Sequence, residues 1–198
     1  MLRSRAPRRL AAAVAAAGCF VLVGACSNDP VRPPASFTVA ADTFAVAALT
    51  GTGPNARSAI LLRVAPLVAS PEGTSSGDYH VVLDINAEGR PVVYPAQLVS
   101  SVVLRRTGLR RVDAEFDSLL RAPTDGYQAD TALTVDIGQV IAVRIPGFGG
   151  ECQFAVRSYF YSKVVVDSVR LADRQLFVRA TTNPNCGFRS FASGVPRD

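Results

Sequence analysis

The residues of this chain that could do chemistry are few, and their spacing narrows what each can do. The only histidine, His80, stands in DYHVVLDIN, where strand alternation puts Asp78 and His80 on one face. A Ser–His–Asp relay needs all three groups within hydrogen-bond reach, and no G-x-S-x-G turn presents a serine. One histidine in a strand reads as a surface or half-buried residue, and it excludes a histidine-rich metal site. In DINAEGR, Asp84, Asn86 and Glu88 fall at positions one, three and five with Gly89 at six, the front half of an oxygen-ligated calcium loop. Pro95 stands where the bidentate glutamate belongs, so the stretch is expected to be a hairpin turn between HVVLDI and RPVVY, with Gly89 supplying positive φ. LRRTGLRR sets Arg105, Arg106, Arg110 and Arg111 around an expected Thr-Gly turn suited to an anionic surface, but Asp113, Glu115 and Asp117 follow at once and neutralise it. PGFGGE at 146–151 is glycine-rich, yet neither a helix nor a lysine follows to hold a phosphate. Carboxylates acting as a glycosidase-like pair are the remaining enzymatic option. The four glutamates, Glu72, Glu88, Glu115 and Glu151, all sit in loops or beside polar turns, and the absence of Trp removes the usual platform for stacking sugars. The expectation is therefore no catalytic residue, no metal and no other cofactor.

The elements that position these groups begin with a segment that is not part of a fold. Residues 10–23 run without a charge or a proline after Arg3, Arg5, Arg8 and Arg9. That is too short for a membrane span, which needs about 20 apolar residues. A basic start followed by an apolar run of ~7–15 residues is the layout of a secretory signal peptide. The run ends in Val23-Gly24-Ala25-Cys26, which resembles the lipobox of bacterial lipoproteins; the resemblance covers the first 26 residues and implies that the Cys26 sulfur takes a diacylglycerol. Cys19, in AAGC, is a weaker site because it would halve the apolar run. An ordinary signal peptide that leaves Cys26 plain, and a twin-arginine route through Arg8 and Arg9, stay open. By resemblance to Gram-negative lipoproteins, Ser27 after the cysteine implies the outer membrane. The expected organisation is a signal peptide over 1–25, a proline-bearing tether over 26–35 and one β-rich domain over 36–198.

That organisation also reassigns the charge. The chain carries 21 Lys+Arg against 16 Asp+Glu, but four of the arginines precede Cys26, leaving 17 against 16. A nucleic-acid partner loses its electrostatic footing.

The body reads as all-β, an antiparallel β-sandwich or small barrel, because apolar and polar residues alternate and Gly/Pro/Asn/Asp clusters break the chain every ten to fifteen residues. The alternation predicts strands near 36–48, 58–68, 79–86, 90–94, 100–106, 127–135, 139–145, 153–160, 163–171 and 175–182. At most one short helix is expected, in DAEFDSLLR at 113–121, with Asp113 as its cap. DIGQVIAVRI, the Tyr-Ser-Lys entry of YFYSKVVVDSVRLADRQLFVRATTNPNCGF and its Asn-Cys-Gly end resemble β modules of secreted bacterial lipoproteins without an assigned function. That resemblance spans roughly 126–189 and carries no catalytic motif. In the hairpin, Val165, Val169 and Leu171 are expected to share a face with Leu176, Val178 and Ala180, with Arg170 and Arg179 opposite.

If Cys19 leaves with the signal peptide and Cys26 carries lipid, Cys152 and Cys186 are the two thiols of an exported body and are expected to form a disulfide. Two buried free cysteines are the alternative. A bridge requires the chain between them to return to the end it left. The simplest solution is a long strand over 153–171, a turn at ADRQ and a return through 175–182. The function expected of such a chain is non-enzymatic: a domain held on the membrane by its lipid that binds a protein or an envelope glycan or supports the envelope. A carboxylate-based hydrolase of the envelope is its rival.

Overall fold

The computed structural model describes residues 34–71, 79–100, 106–147, 152 and 158–197. Among them ten strands form two antiparallel five-stranded sheets: β1 (Ala40–Ala47), β2 (Ala59–Leu62), β3 (Pro66–Ala69), β4 (Val81–Ile85), β5 (Pro91–Pro95), β6 (Gly108–Val112), β7 (Leu133–Thr134), β8 (Val140–Pro146), β9 (Tyr159–Arg170) and β10 (Gln175–Asn183). The first sheet has the order β1-β10-β9-β8-β6 and the second β3-β2-β4-β5-β7. The fold is all-β, and the sheets share one apolar core, as in a sandwich.

Side-chain alternation sorts the strands into inner and outer faces. In β8, Ile141, Val143 and Ile145 enter the shared core, while Val140, Ala142 and Arg144 turn to the outer face of the first sheet. In β9, Phe160, Val164 and Val166 go inward and Tyr161 and Val165 outward. β4 is buried on both faces, since Val81, Leu83 and Ile85 meet the core while Val82 packs with Ala59, Tyr79 and Ala96. Polar bonds tie the sheets together inside this apolar setting. Ser162 Oγ on β9 donates to Leu62 O on β2 at 3.0 Å, and Thr182 Oγ1 reaches the same carbonyl at 3.3 Å. At the turn after β9, Arg174, at φ 50°, donates to Thr50 O at 2.7 Å and Ile85 O at 2.6 Å.

Several expected elements differ. The stretch 58–68 is two strands, β2 and β3, which pair Leu62 with Pro66 across a turn; Pro66 has no N–H to donate to a continuing ladder, so the chain reverses there. Of 127–135 only Leu133–Thr134 is a strand, with Gln128 forming an isolated bridge to Leu109. Residues 108–112, expected to be a turn and its exit, form β6. DAEFDSLLR makes one turn rather than a helix, with the N–H groups of Ser118 and Leu119 both on Glu115 O. A lone turn lacks the length to sustain a helix. The chain instead buries Phe116 on the first sheet and pairs Arg121 with Ser190. In the β9–β10 hairpin, Leu176, Val178 and Ala180 do reach the core, but Val165 faces outward and Leu171 is exposed. The register passes from Phe177↔Ser168 to Val178↔Val166, so Asp167 is an extra residue that reverses the alternation of everything before it. The expected strands over 100–106 and 153–160 fall largely outside the described residues, as do residues 1–25, Cys26 and most of the tether.

Cys152 and Cys186 are joined by a disulfide, their Cα atoms 5.7 Å apart. β9 and β10 make the outward and return crossings between them.

Candidate functional site

The outer face of the first sheet gathers charged and aromatic groups, and a single covering segment, residues 113–128, organises it. Phe116 packs on Val140 and Val165, and Ala122 packs with Tyr161 and Phe191. Beneath the cover lies Lys163, buried on β9. Its Nζ donates to Phe116 O at 2.5 Å and Leu119 O at 3.1 Å, and sits 4.3 Å from the centre of the Phe116 ring. Burial pushes this ammonium below the usual lysine range; Asp117 opposes the shift and Arg179 adds to it. On the other side of Phe116, Arg179 stacks on the same ring at 4.6 Å and grips Asp167 through two bonds of 2.8 and 2.9 Å, with Asp117 at 3.3 Å. Two open grooves flank this arginine. One of about 510 Å³ is lined by Asp113, Glu115, Phe116 and Asp136, and one of about 390 Å³ by Asp42, Thr43 and Asp117.

The opposite end of the face is basic and aromatic. Arg144 of β8 lies between two tyrosines, its guanidinium carbon 4.7 Å from the Tyr127 ring centre and 4.6 Å from that of Tyr159. Tyr127 donates to Pro123 O at 3.0 Å, and burial pushes its phenol well above the usual tyrosine range, against the pull of Arg144, Arg110 and Arg189. What the face offers chemically is cation–π stacking, fixed guanidinium groups and a ring of surface carboxylates.

No family model, curated protein or solved structure matches this chain. The reading of its site rests on geometry.

The residues singled out from sequence go elsewhere. His80 is buried in the second sheet, and its Nδ1 accepts from Leu62 N at 2.9 Å. Its strand neighbour Asp78 lies outside the described residues. DINAEGR is a hairpin turn: Asn86 N donates to Arg90 O, Gly89 N donates to Asn86 O, and Gly89 takes φ 79°. Asp84 is buried and accepts from Thr50 N, Thr50 Oγ1, Ile85 N and Arg174, so its carboxylate is committed to the fold rather than to an ion. Among the described residues no group of three or more His, Cys, Asp or Glu is placed to hold a metal. The arginines of LRRTGLRR are spread along a strand: Arg106 pairs with Asp130, Arg110 with Asp125, and Arg111 donates to Thr134 O. Arg105, Glu72 and Glu151 are outside the described residues, and Glu88 is exposed at a hairpin tip. Missed altogether were Lys163 and Arg144. Their signal is in the sequence: each is a lone cation inside an apolar strand, in YSKVVV and AVRIP, at an outward position of the alternation.

Proposed function

We propose that this chain is a lipid-anchored extracytoplasmic domain, held at the outer membrane through Cys26, that binds a protein or envelope-glycan partner on the outer face of its first sheet and catalyses no reaction. The observation that carries the reading is the fate of its buried ionisable groups. Among the described residues the buried imidazole, carboxylate and ammonium groups are His80, Asp84 and Lys163, and each is spent on a backbone or clasp contact inside the fold; the other buried ionisable groups are the phenols of Tyr79 and Tyr161. A catalytic acid or base needs a perturbed group left facing substrate. The anchoring half of the proposal rests on the apolar run ending in Val-Gly-Ala-Cys. Detergent-phase partitioning of the full chain tests it: the wild type should enter the detergent phase and Cys26→Ser should stay unprocessed or remain aqueous. A Cys26→Ser chain processed and partitioned like wild type would overturn the anchor.

A carboxylate hydrolase is the second reading, favoured by the groove between Asp113, Glu115 and Asp136. Incubation with purified envelope glycan separates the two. Unchanged glycan is the expected result, whereas release of reducing ends that is lost in Glu115→Gln would replace the binding reading with the enzymatic one.

A further inference from the structure

The Arg144 end of the outer face has the construction of an anion site. A guanidinium offers two flat faces and an edge with five N–H donors. Here the rings of Tyr127 and Tyr159 stack against it with their centres 4.7 and 4.6 Å from the guanidinium carbon, which restrains the group while its N–H donors stay available. Among the described residues no carboxylate, carbonyl or hydroxyl accepts from that edge. Other arginines of the described residues are engaged by such acceptors: Arg90 by Asp136, Arg106 by Asp130, Arg170 by Asp173, Arg174 by Ile85 O, and Arg179 by Asp167 and Asp117. Arg144 is half-buried, at an outward position of β8 on the outer face of the first sheet.

The sandwich is built by the backbone around it. Gly108 is the register partner of Arg144 across β6 and β8. A Cβ at Gly108 would lie 2.9 Å from Tyr127 Cβ, so the missing side chain is what lets Tyr127 come down over Arg144. The same short loop gathers two further cations. Arg110 donates to Asp125 O at 2.5 Å and to its carboxylate at 3.2 Å, while Arg189 donates to Thr124 Oγ1. Residues 124, 125 and 127 thus hold Arg189, Arg110 and the ring over Arg144, with Asp125 as the only carboxylate engaged there among the described residues. Three cations against one acid favour a multiply charged ligand over a carboxylate, and a planar fork matches a tetrahedral oxyanion through paired bonds.

We propose that Arg144, held between Tyr127 and Tyr159, binds a phosphate group, with Arg110 and Arg189 adding attraction at its rim. This deepens the binding reading of the outer face and rests on it. The phosphate could come from a soluble phosphate ester or from a lipid headgroup, which present the same oxyanion to the fork.

The chain has no Trp, and two of its five tyrosines, Tyr127 and Tyr159, flank Arg144, so tyrosine emission includes a signal from the site. Inorganic phosphate is titrated into the full chain, purified in a phosphate-free detergent. A saturable change in tyrosine emission is expected, absent with chloride at equal ionic strength and at least tenfold weaker with acetate. Arg144→Gln should weaken the phosphate midpoint at least tenfold, and Arg144→Lys several-fold, because it keeps the charge and loses the fork. Tyr159→Leu, which keeps apolar packing and removes one stacking face, should weaken it several-fold and covers the case in which Arg144→Gln fails to fold. With the chain held in micelles of the same phosphate-free detergent, added phosphatidylglycerol raises the phosphate midpoint if the headgroup is the source and leaves it unchanged if the source is soluble. No saturable response to phosphate, an undiminished response in folded Arg144→Gln, or acetate binding as tightly as phosphate each overturn the site. Those failures leave detergent-phase partitioning through Cys26 untouched, so they are distinguishable from failure of the anchored-domain reading.

Discussion

Lys163 sits in an environment that its type disfavours, with its side chain buried on β9. Its ammonium is buried under Phe116 and Leu119 and bonded to two carbonyls, which satisfies donors without supplying an opposite charge. Asp117, Arg179 and Asp167 are the ionisable groups gathered around it and its Phe116 cover; Asp117 favours the charged ammonium and Arg179 disfavours it, with Arg179 gripped by both acids. Burial is the largest cause of the depressed pKa, and that fixes the sign of a pH effect. Between the lowered folded value and the ordinary 10.5, the unfolded chain holds the proton and the folded chain does not. Stability therefore rises with pH across that alkaline window. Tyr127 works the other way, because its raised pKa keeps the phenol protonated in the fold after the unfolded chain has begun to ionise near 10.0. Its effect is a loss of stability above that pH. We expect the urea midpoint of the wild type to climb from neutral pH to about 10, and the climb to be smaller or gone in Lys163→Met. An equal climb in that variant would show that Lys163 is not its source.

At the scale of elements, a glycine decides how the cover segment meets the first sheet. Gly108→Ala would push a methyl group against Tyr127 Cβ at 2.9 Å, a contact that one of the two must yield. Overpacking of this kind costs about 1–3 kcal/mol, and the expected outcome is a lower melting temperature together with altered tyrosine emission as the stack on Arg144 loosens. An unchanged emission spectrum would mean that Tyr127 does not depend on this gap. Much of the element list was legible from alternation and turn residues. β4 and β5 around the Gly89 turn, β8, and the β9–β10 hairpin lie close to the expected ranges. What escaped was set by tertiary contact. The phase of β9 turns on a bulge at Asp167 that no local pattern marks. The helix expected from Phe116, Leu119 and Leu120 gave way because Phe116 packs on Val140 and Val165, which are distant in sequence. The basic stretch around Gly108 suggested a turn because glycine usually supplies conformational freedom, whereas here it supplies space. The candidate site was the least legible part, since Arg144, Tyr127 and Tyr159 are brought together only by strand pairing and a loop closing over it.

For the whole molecule, the important connections join its ends. β1 pairs with β10 over eight positions, from Ala40↔Thr182 to Ala47↔Gln175, so the sheet closes only when the start of the domain meets its finish. Asn185, buried beside Cys186, strengthens that junction: its Oδ1 accepts from Ser36 N at 2.9 Å and Phe37 N at 3.0 Å, and its Nδ2 donates to Phe37 O at 2.7 Å. The residues that lead out of the expected tether are thus held by a turn that the disulfide fastens to Cys152. Gly147 marks how closely this corner is packed, because a Cβ there would collide with the Cys152 sulfur. The bridge spans 34 positions. Closing a loop of that size in the unfolded chain stabilises the fold by about 4 kcal/mol in the chain-entropy model. A large share of the 5–15 kcal/mol typical of a domain then depends on one covalent bond. Reduction should lower the urea midpoint by an amount matching that loss, and Cys152→Ser should reproduce it without reductant. Proteolysis should then cut first near residues 36–37, where Asn185 loses its fastening. Alkylation of the unfolded, unreduced protein supplies the check on the premise: both cysteines should label only after reduction. Labelling of both without reductant, or a Cys152→Ser variant as stable as wild type, would remove the disulfide from the account of this fold.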